Sequence, residues 1–231
     1  MEPPSDGAIF FDMHIHSHYS MDSAIPVTAI VKCFRRTGIL PLVCDHNSIT
    51  GAEKVFGEIC AADPAIPRIL AEEIMTADGE IIGLFLTEEI PPFLSADETL
   101  DRIHDQGALS IVPHPFCSYR SSVLRTETLD RILDRIDIIE GFNGRVIDDH
   151  DNLVAQHYAA RNNKPVSAGS DAHISLELGR IFVTLNRFST PAELMHELSM
   201  ADVTYRHMHS SVHMLTKFVK AGRQIGLFSP R

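Results

Sequence analysis

An α/β fold on a mainly parallel sheet is the architecture this sequence predicts, and three observations predict it. Apolar runs of four to eight residues alternate with longer segments of helical period, giving about seven β/α units in a row. Runs such as ILPLVC and IDIIEGF are apolar throughout, as strands covered on both faces require. No Gly/Ser-rich linker or internal repeat interrupts the series, so the 231 residues read as one domain. Pattern alone leaves open whether the sheet closes into a barrel or stays open and doubly wound.

The elements follow in order. AIFFDM (8–13) reads as a strand, and 25–37 as a helix closed by Gly38. ILPLVC (39–44) is a strand and 50–61 a helix. Strands near 66–71 and at 80–86 flank the turn ADGE. Residues 95–107 form a helix marked at both ends: Ser95 as N-cap with Glu98 three residues on, and Gly107 as the stop. Then come LSIVP (strand), 124–135 (helix), IDIIEGF (strand), 148–162 (helix) and PVSAG (strand). RIFVTL is a further strand, and TPAELMHELSM a helix capped by Thr190 with Pro191 in its first turn. Residues 201–231 read as an appended helical tail on a core of about 8–200.

Bulk properties narrow the setting. At 44% hydrophobic and 22% charged residues the composition is that of an ordinary globular domain. No apolar stretch approaches the roughly 18 to 20 residues that span a bilayer, and MEPPSDG has no signal-peptide character. Cysteines 33, 44, 60 and 117 form no CxxC pair, so a reducing cytoplasm is the expected compartment and no membrane partner is expected. The formal charge of −11 disfavours extended nucleic acid as a partner, although a local cleft can still hold a single phosphate.

Placement of polar residues carries the functional signal. DMHIH ends the first strand, CDHN the second, AEE the third, PHP the fourth, EGFN the fifth and GSDAH the sixth. Carboxyl ends of parallel strands form the active face of such folds, so six successive strands deliver His, Asp or Glu to one rim. His14 and His16 stand at alternate positions and so share a face of their strand.

The set DMHIHS, CDHN, the Glu after the third run, PHP and SDAH, in that order, resembles the polymerase and histidinol phosphatase (PHP) family from about residue 8 to 185. The resemblance implies a TIM-like, distorted seven-stranded (β/α)7 barrel holding two or three divalent ions (Zn, Mn or Fe) that hydrolyses phosphate esters. By the same resemblance His14, His16 and Asp171 hold a first ion, and Glu73 bridges it to a second that His114 also binds. Asp22, His46 and His173 match the ligands of a third ion. His14, His16, Glu73 and Asp171 thus form the implied catalytic set, acting through a metal-bound hydroxide. On a strand Glu72 points away from Glu73, so only one of the two serves. Asp12 and Asp45 are expected behind the ligands, fixing an imidazole tautomer.

One stretch departs from the family. Where members carry a histidine in a pattern like IHxLG, this chain reads EIIGLFL, and Ile82 falls at about the matching position. Glu80 is the nearest substitute donor, although beside the turn it reads first as a surface residue.

Arg120, Asn143 and Arg145 follow rim strands and are the candidate substrate contacts, because a guanidinium grips phosphate in a planar fork. His18 has no family counterpart and reads as a loop residue. Cys117 reads as a bystander thiol, and His207, His209 and His213 as tail residues with no carboxylate nearby. The expected activity is hydrolysis of a phosphate ester of a small metabolite or short nucleotide. A nuclease is the first rival and needs a basic track, for which Lys32, Arg35 and Arg36 are the local cluster. A non-catalytic metal-binding module is the second.

Overall fold

The computed structural model describes residues 7–205. The chain runs β1 (Ala8–Ile15), α1 (Val27–Thr37), β2 (Ile39–His46), α2 (Thr50–Ala62), β3 (Ala71–Met75), β4 (Glu80–Leu84) and α3 (Ala96–Asp105). It continues β5 (Leu109–Val112), α4 (Thr126–Ile132), β6 (Ile138–Asn143), α5 (Asp149–Arg161) and β7 (Val166–Gly169). The last elements are β8 (Ile181–Asn186), α6 (Pro191–Leu198) and β9 (Asp202–Tyr205). The caps act as their sequences imply. Ser95 and Glu98 complete a capping box on α3, the Thr190 side chain accepts from Glu193 N–H, and Gly38 takes the left-handed conformation after α1.

All strands join one sheet in the order β7-β6-β5-β4-β3-β2-β1-β8-β9. Strands β1, β2 and β3 are mutually parallel, as are β5, β6 and β7, while β4 runs against both its neighbours. The chain just past β7 returns to β1 through a parallel bridge between Ile15 and Ala172. His16 N–H donates to Ala172 O at 2.9 Å and Asp171 N–H to His14 O at 2.7 Å, so the ring is nearly closed at its mouth. Among the described residues no helix is long and apolar enough to cross a membrane.

Two expectations are corrected. The sheet has nine strands among the described residues, not seven, because β8 pairs antiparallel with the outer half of β1 and β9 pairs with β8. Asp202–Tyr205, assigned to a helical tail, is β9, since DVTY alternates and an unpaired edge of β8 is there to receive it. The rest of the tail, including His207, His209 and His213, lies outside the described residues.

Apolar packing fills two spaces. Phe11, Met13, Leu40, Leu42, Ala71, Ile82, Leu84, Ile111, Ile138 and Ala168 belong to one cluster. Helix residues such as Ile30, Val55, Ile59, Leu100 and Ile103 join a second, with Ile15, Val43, Ile74 and Ile139 of the strands. Opposite faces of the same strands therefore feed different clusters, which explains why these runs are apolar without alternation.

Candidate metal centre

A break in strand regularity aims the first two histidines. Between Asp12 and Ile15 the β1/β2 register slips, so three steps along β1 match two along β2. Such a bulge re-aims side chains. Phe11 and Met13 pack with Leu40 and Leu42, and past the bulge His14 and His16 turn into the mouth. Their Nε2 atoms come within 3.1 Å of each other. A second slip, between Glu140 and Phe142 on β6, lets Glu140 and Asn143 reach the same group although three positions separate them.

Five further segments of the chain complete the cluster. Register pairs His46 of β2 with Glu73 of β3, and His46 Nδ1 lies 3.1 Å from Glu73 Oε2. Glu73 Oε2 is 3.4 Å from His16 Nε2, and Glu73 Oε1 is 3.6 Å from His14 Nε2 and 3.2 Å from His114 Nε2. Asp171 Oδ1 reaches His14 and His16 at 3.7 and 3.4 Å. At the outer edge Asp22 Oδ2 stands 3.5 Å from His46 Nε2 and 3.4 Å from His173 Nε2. His14, His16, Glu73, His114, Asp171 and His173 are buried, whereas Asp22 and His46 are half-buried and open the group to solvent.

Backbone geometry at two of these residues is costly. His114 has φ 33° and Asp171 φ 52°, both in the left-handed region. Side chains there cost roughly 1–2 kcal/mol each, which marks places where positioning outweighs comfort. Gly169, just before this segment, packs directly on His14, and a side chain there would run into its backbone and Cβ.

Ring orientation is fixed from behind. Asp171 O, a carbonyl that only accepts, lies 2.7 Å from His173 Nδ1, so Nδ1 donates and Nε2 carries the lone pair. His14 Nδ1 meets Glu140 Oε1 at 2.9 Å, and His16 Nδ1 meets Ser20 Oγ at 3.1 Å. Burial opposes ionisation of His46, but Glu73, Asp22 and Glu80 outweigh it and lift the imidazole to about 10. His16 falls to about 3 through burial and the neighbouring His173. Glu73 and Asp171 are held well below the carboxylate range despite burial, Glu73 chiefly by His14 and Asp171 chiefly by Arg120.

A divalent cation fits this donor set. Glu73 Oε2 and Asp171 Oδ1 are buried oxygens without a hydrogen-bond partner beside imidazole nitrogens, and Asp22 Oδ1 also lacks one while its Oδ2 faces His46 and His173. Buried unpaired carboxylate oxygens are expensive unless a cation meets them. Donor atoms of His16, His46 and His173 lie within 4.8 Å of one another, as do those of His14, His114 and Asp171.

Sequence and structure comparisons identify relatives of this chain. The uncharacterised protein MJ0417 of Methanocaldococcus jannaschii is 37% identical over 181 residues, 77% of this chain and 71% of that protein. A second protein of that organism, MJ1587, is 38% identical over 150 residues, 57% of this chain and 80% of its own length. The family model described as PHP-associated matches residues 149–203. A two-domain Bacteroides vulgatus protein containing a predicted PHP-like metal-dependent phosphoesterase superposes with a TM-score of 0.69 at 18% identity, over 89% of this chain and 68% of that one.

The chain belongs to the PHP domain family. A lesion-specific endonuclease of Pyrococcus furiosus superposes on it with a TM-score of 0.59 at 18% identity, over 85% of this chain and 57% of that one.

Within this PHP domain all eight residues expected as ligands, His14, His16, Asp22, His46, Glu73, His114, Asp171 and His173, gather at one mouth. Arg120 and Asn143 join them: Arg120 Nη2 contacts Asp171 Oδ2, its Nη1 lies 3.4 Å from His114 Nε2, and Asn143 Nδ2 donates to Asp171 Oδ2 at 3.1 Å. Arg145 instead pairs with Glu177 Oε1 at 3.3 Å, and Glu177 Oε2 accepts the N–H groups of His173 and Ile174. Its side chain therefore braces the His173 loop. His18 packs its ring on Tyr19, and Cys117 is buried.

Three placements correct the sequence reading. Asp12 does not hold an imidazole; it accepts from Ser170 N–H and Oγ and weakly from His14 N–H, because it lies on the helix side of the bulge. Asp45 reaches His16 only through Ser20, whose hydroxyl donates to it at 2.8 Å. Glu80 is buried beside His46 and His114 rather than exposed at the surface, while Ile82 pairs in register with Glu73 and packs in the apolar core. The cause is the reversed direction of β4, whose first residue lies at the rim. Glu140, which no reading of the sequence assigned, is the imidazole partner of His14; a lone carboxylate inside the apolar run IDIIEGF was its signal.

Proposed function

We propose that this chain is a metal-dependent hydrolase acting on the phosphate ester of a small metabolite or short nucleotide. The observation that carries this reading is the convergence of His14, His16, Glu73 and Asp171, with buried carboxylate oxygens that face imidazole nitrogens and lack a hydrogen-bond partner. His14, His16 and Asp171 would hold a first ion, Glu73 and His114 a second, and Asp22, His46 and His173 a third. Imidazole and carboxylate together suit Zn, Mn or Fe. Such ions polarise phosphoryl oxygens, bring water toward ionisation at neutral pH and stabilise the leaving oxygen, help that a slow-reacting monoester needs.

The protein's own groups do the rest. Glu140, Ser20 and the Asp171 carbonyl hold the three imidazoles His14, His16 and His173 in fixed orientations. Arg120, about one-fifth exposed and in contact with Asp171, is placed to fork onto a phosphate entering the mouth. Asn143 bridges Glu140 and Asp171 and keeps the carboxylate of Asp171 aimed at the mouth.

A nuclease reading is weaker. Arg35 and Arg36 occupy the last turn of α1, at the end of the barrel away from the mouth, with Lys32 one turn earlier. They form no track to the metal centre. A purely structural metal site is disfavoured by the half-buried opening at Asp22 and His46, because structural sites are closed.

The test is a panel of phosphomonoesters, dinucleotides and single-stranded oligonucleotides offered to the metal-reconstituted protein. Hydrolysis of monoesters is expected, lost on chelation and restored by divalent ions. His14→Ala and Asp171→Ala should abolish it while circular dichroism stays unchanged. Wild-type turnover in either variant would refute the ligand assignment.

A further inference from the structure

The reversed strand β4 brings one more carboxylate to the mouth. Glu80 is the first residue of β4 and pairs in register with Met75, the last residue of β3. Its own N–H donates to Ser122 O at 2.9 Å. The turn before it is tied: Thr76 N–H and Oγ1 both donate to Gly79 O, at 3.0 and 2.6 Å. Gly79 has φ 137°, and a side chain there would collide with the backbone of Leu124. The hairpin tip is therefore held against residues 122–124, and Glu80 has a fixed position.

Its carboxylate spans two imidazoles. Glu80 Oε1 is 3.7 Å from His46 Nδ1 and Oε2 is 3.7 Å from His114 Nε2, while Glu73 contacts the same two nitrogens at 3.1 and 3.2 Å. Donor atoms of His46, Glu73 and Glu80 fall within 4.8 Å of one another. Only 3% of the Glu80 side chain is exposed, and its Oε2 has no hydrogen-bond partner. Two carboxylates side by side repel, and a buried one lacking a donor is unfavourable. A cation between them removes both penalties.

Building on the metal-dependent reading above, we infer that Glu80 is a ligand of the ion held by Glu73 and His114, and that this second carboxylate turns that position's preference from zinc toward manganese. Carboxylate oxygens suit harder ions, whereas imidazole-rich sets suit zinc. The position is thus more oxygen-rich than the one formed by His14, His16 and Asp171, and the two should load different ions from a mixture.

Glu80→Gln separates this role from a structural one, because the amide imitates a protonated, merely buried Glu80. Metal-free wild type, Glu80→Gln and Glu80→His are titrated with Mn(II) and with Zn(II) against a chromophoric chelator, and bound metal is counted by mass spectrometry. Glu80→Gln is expected to weaken one Mn(II) equivalent by more than about tenfold, a loss at least as large as outer-sphere changes produce. Glu80→His is expected to keep that equivalent and raise its Zn-to-Mn affinity ratio by about tenfold or more. Wild-type Mn(II) affinity and stoichiometry in Glu80→Gln would overturn the inference and leave the metal centre standing. If Glu80→Gln does not fold, an unchanged ratio in Glu80→His overturns it. A wild-type chain that takes up no divalent ion would instead overturn the functional reading itself.

Discussion

Glu140 Oε1 lies 2.9 Å from Nδ1 of His14, a buried pair formed by β6 and β1 across 126 residues of sequence. The other oxygen of Glu140 accepts His114 N–H at 2.7 Å and Asn143 Nδ2 at 2.9 Å. One carboxylate therefore sets the His14 tautomer, anchors the strained backbone at His114 and orients Asn143.

Replacing Glu140 with Gln keeps the shape and removes the charge that makes His14 a better donor. The expected result is a loss of about 10- to 100-fold in affinity for the tightest divalent ion, read by chelator competition. An unaltered affinity would mean that Glu140 serves packing alone.

Arg120 brings a guanidinium to the mouth, touching Asp171 and lying 3.4 Å from His114. A lysine keeps the charge but not the fork. Arg120→Lys should raise KM for a phosphomonoester by about tenfold, with kcat changed far less, as expected when a bidentate contact worth about 1.5–3 kcal/mol is weakened. Steady-state kinetics on both proteins decide it, and an unchanged KM would remove Arg120 from the substrate contacts.

Glu72 gives a pH signature independent of turnover. It is buried on the face of β3 turned from Glu73, where Oε1 accepts Ile90 N–H at 2.6 Å and Oε2 has no partner. Burial, with a smaller contribution from Glu89, lifts its carboxyl from 4.5 to about 7. Between those values the folded state holds a proton that the unfolded state has released. This group's contribution to stability is therefore full below pH 4.5 and falls as pH rises to 7, by at most on the order of 3 kcal/mol. Denaturant melts of metal-free wild type and Glu72→Gln from pH 4.5 to 8 should diverge progressively, the variant losing less. Parallel curves would show that Glu72 does not titrate in this window.

Much of this was legible along the chain. The ends of the capped helices were written in local chemistry, as with Ser95, Glu98 and Gly107, because a cap satisfies its own backbone within a few residues. The eight side chains gathered at the mouth were legible through their motifs, most of them placed just after an apolar run. Glu140 and Glu80 were not, since their partners lie on other strands and no local pattern records which carboxylate meets which imidazole. The burial of Glu80 was misjudged for a related reason: a reversed strand places its beginning at the rim, so a residue beside the turn reaches the mouth.

Taken alone, the residue order determined the α/β class, the run of strands and helices and the identity of the side chains crowded at one rim. Periodicity and capping act over a few residues, so they survive in one dimension. Closure of the ring through Ile15 and Ala172, the bulge that turns His14 and His16 inward and the arrival of Glu80 were decided only by tertiary structure. Each depends on register between strands far apart in sequence, and register is settled only when the strands pair and their side chains pack.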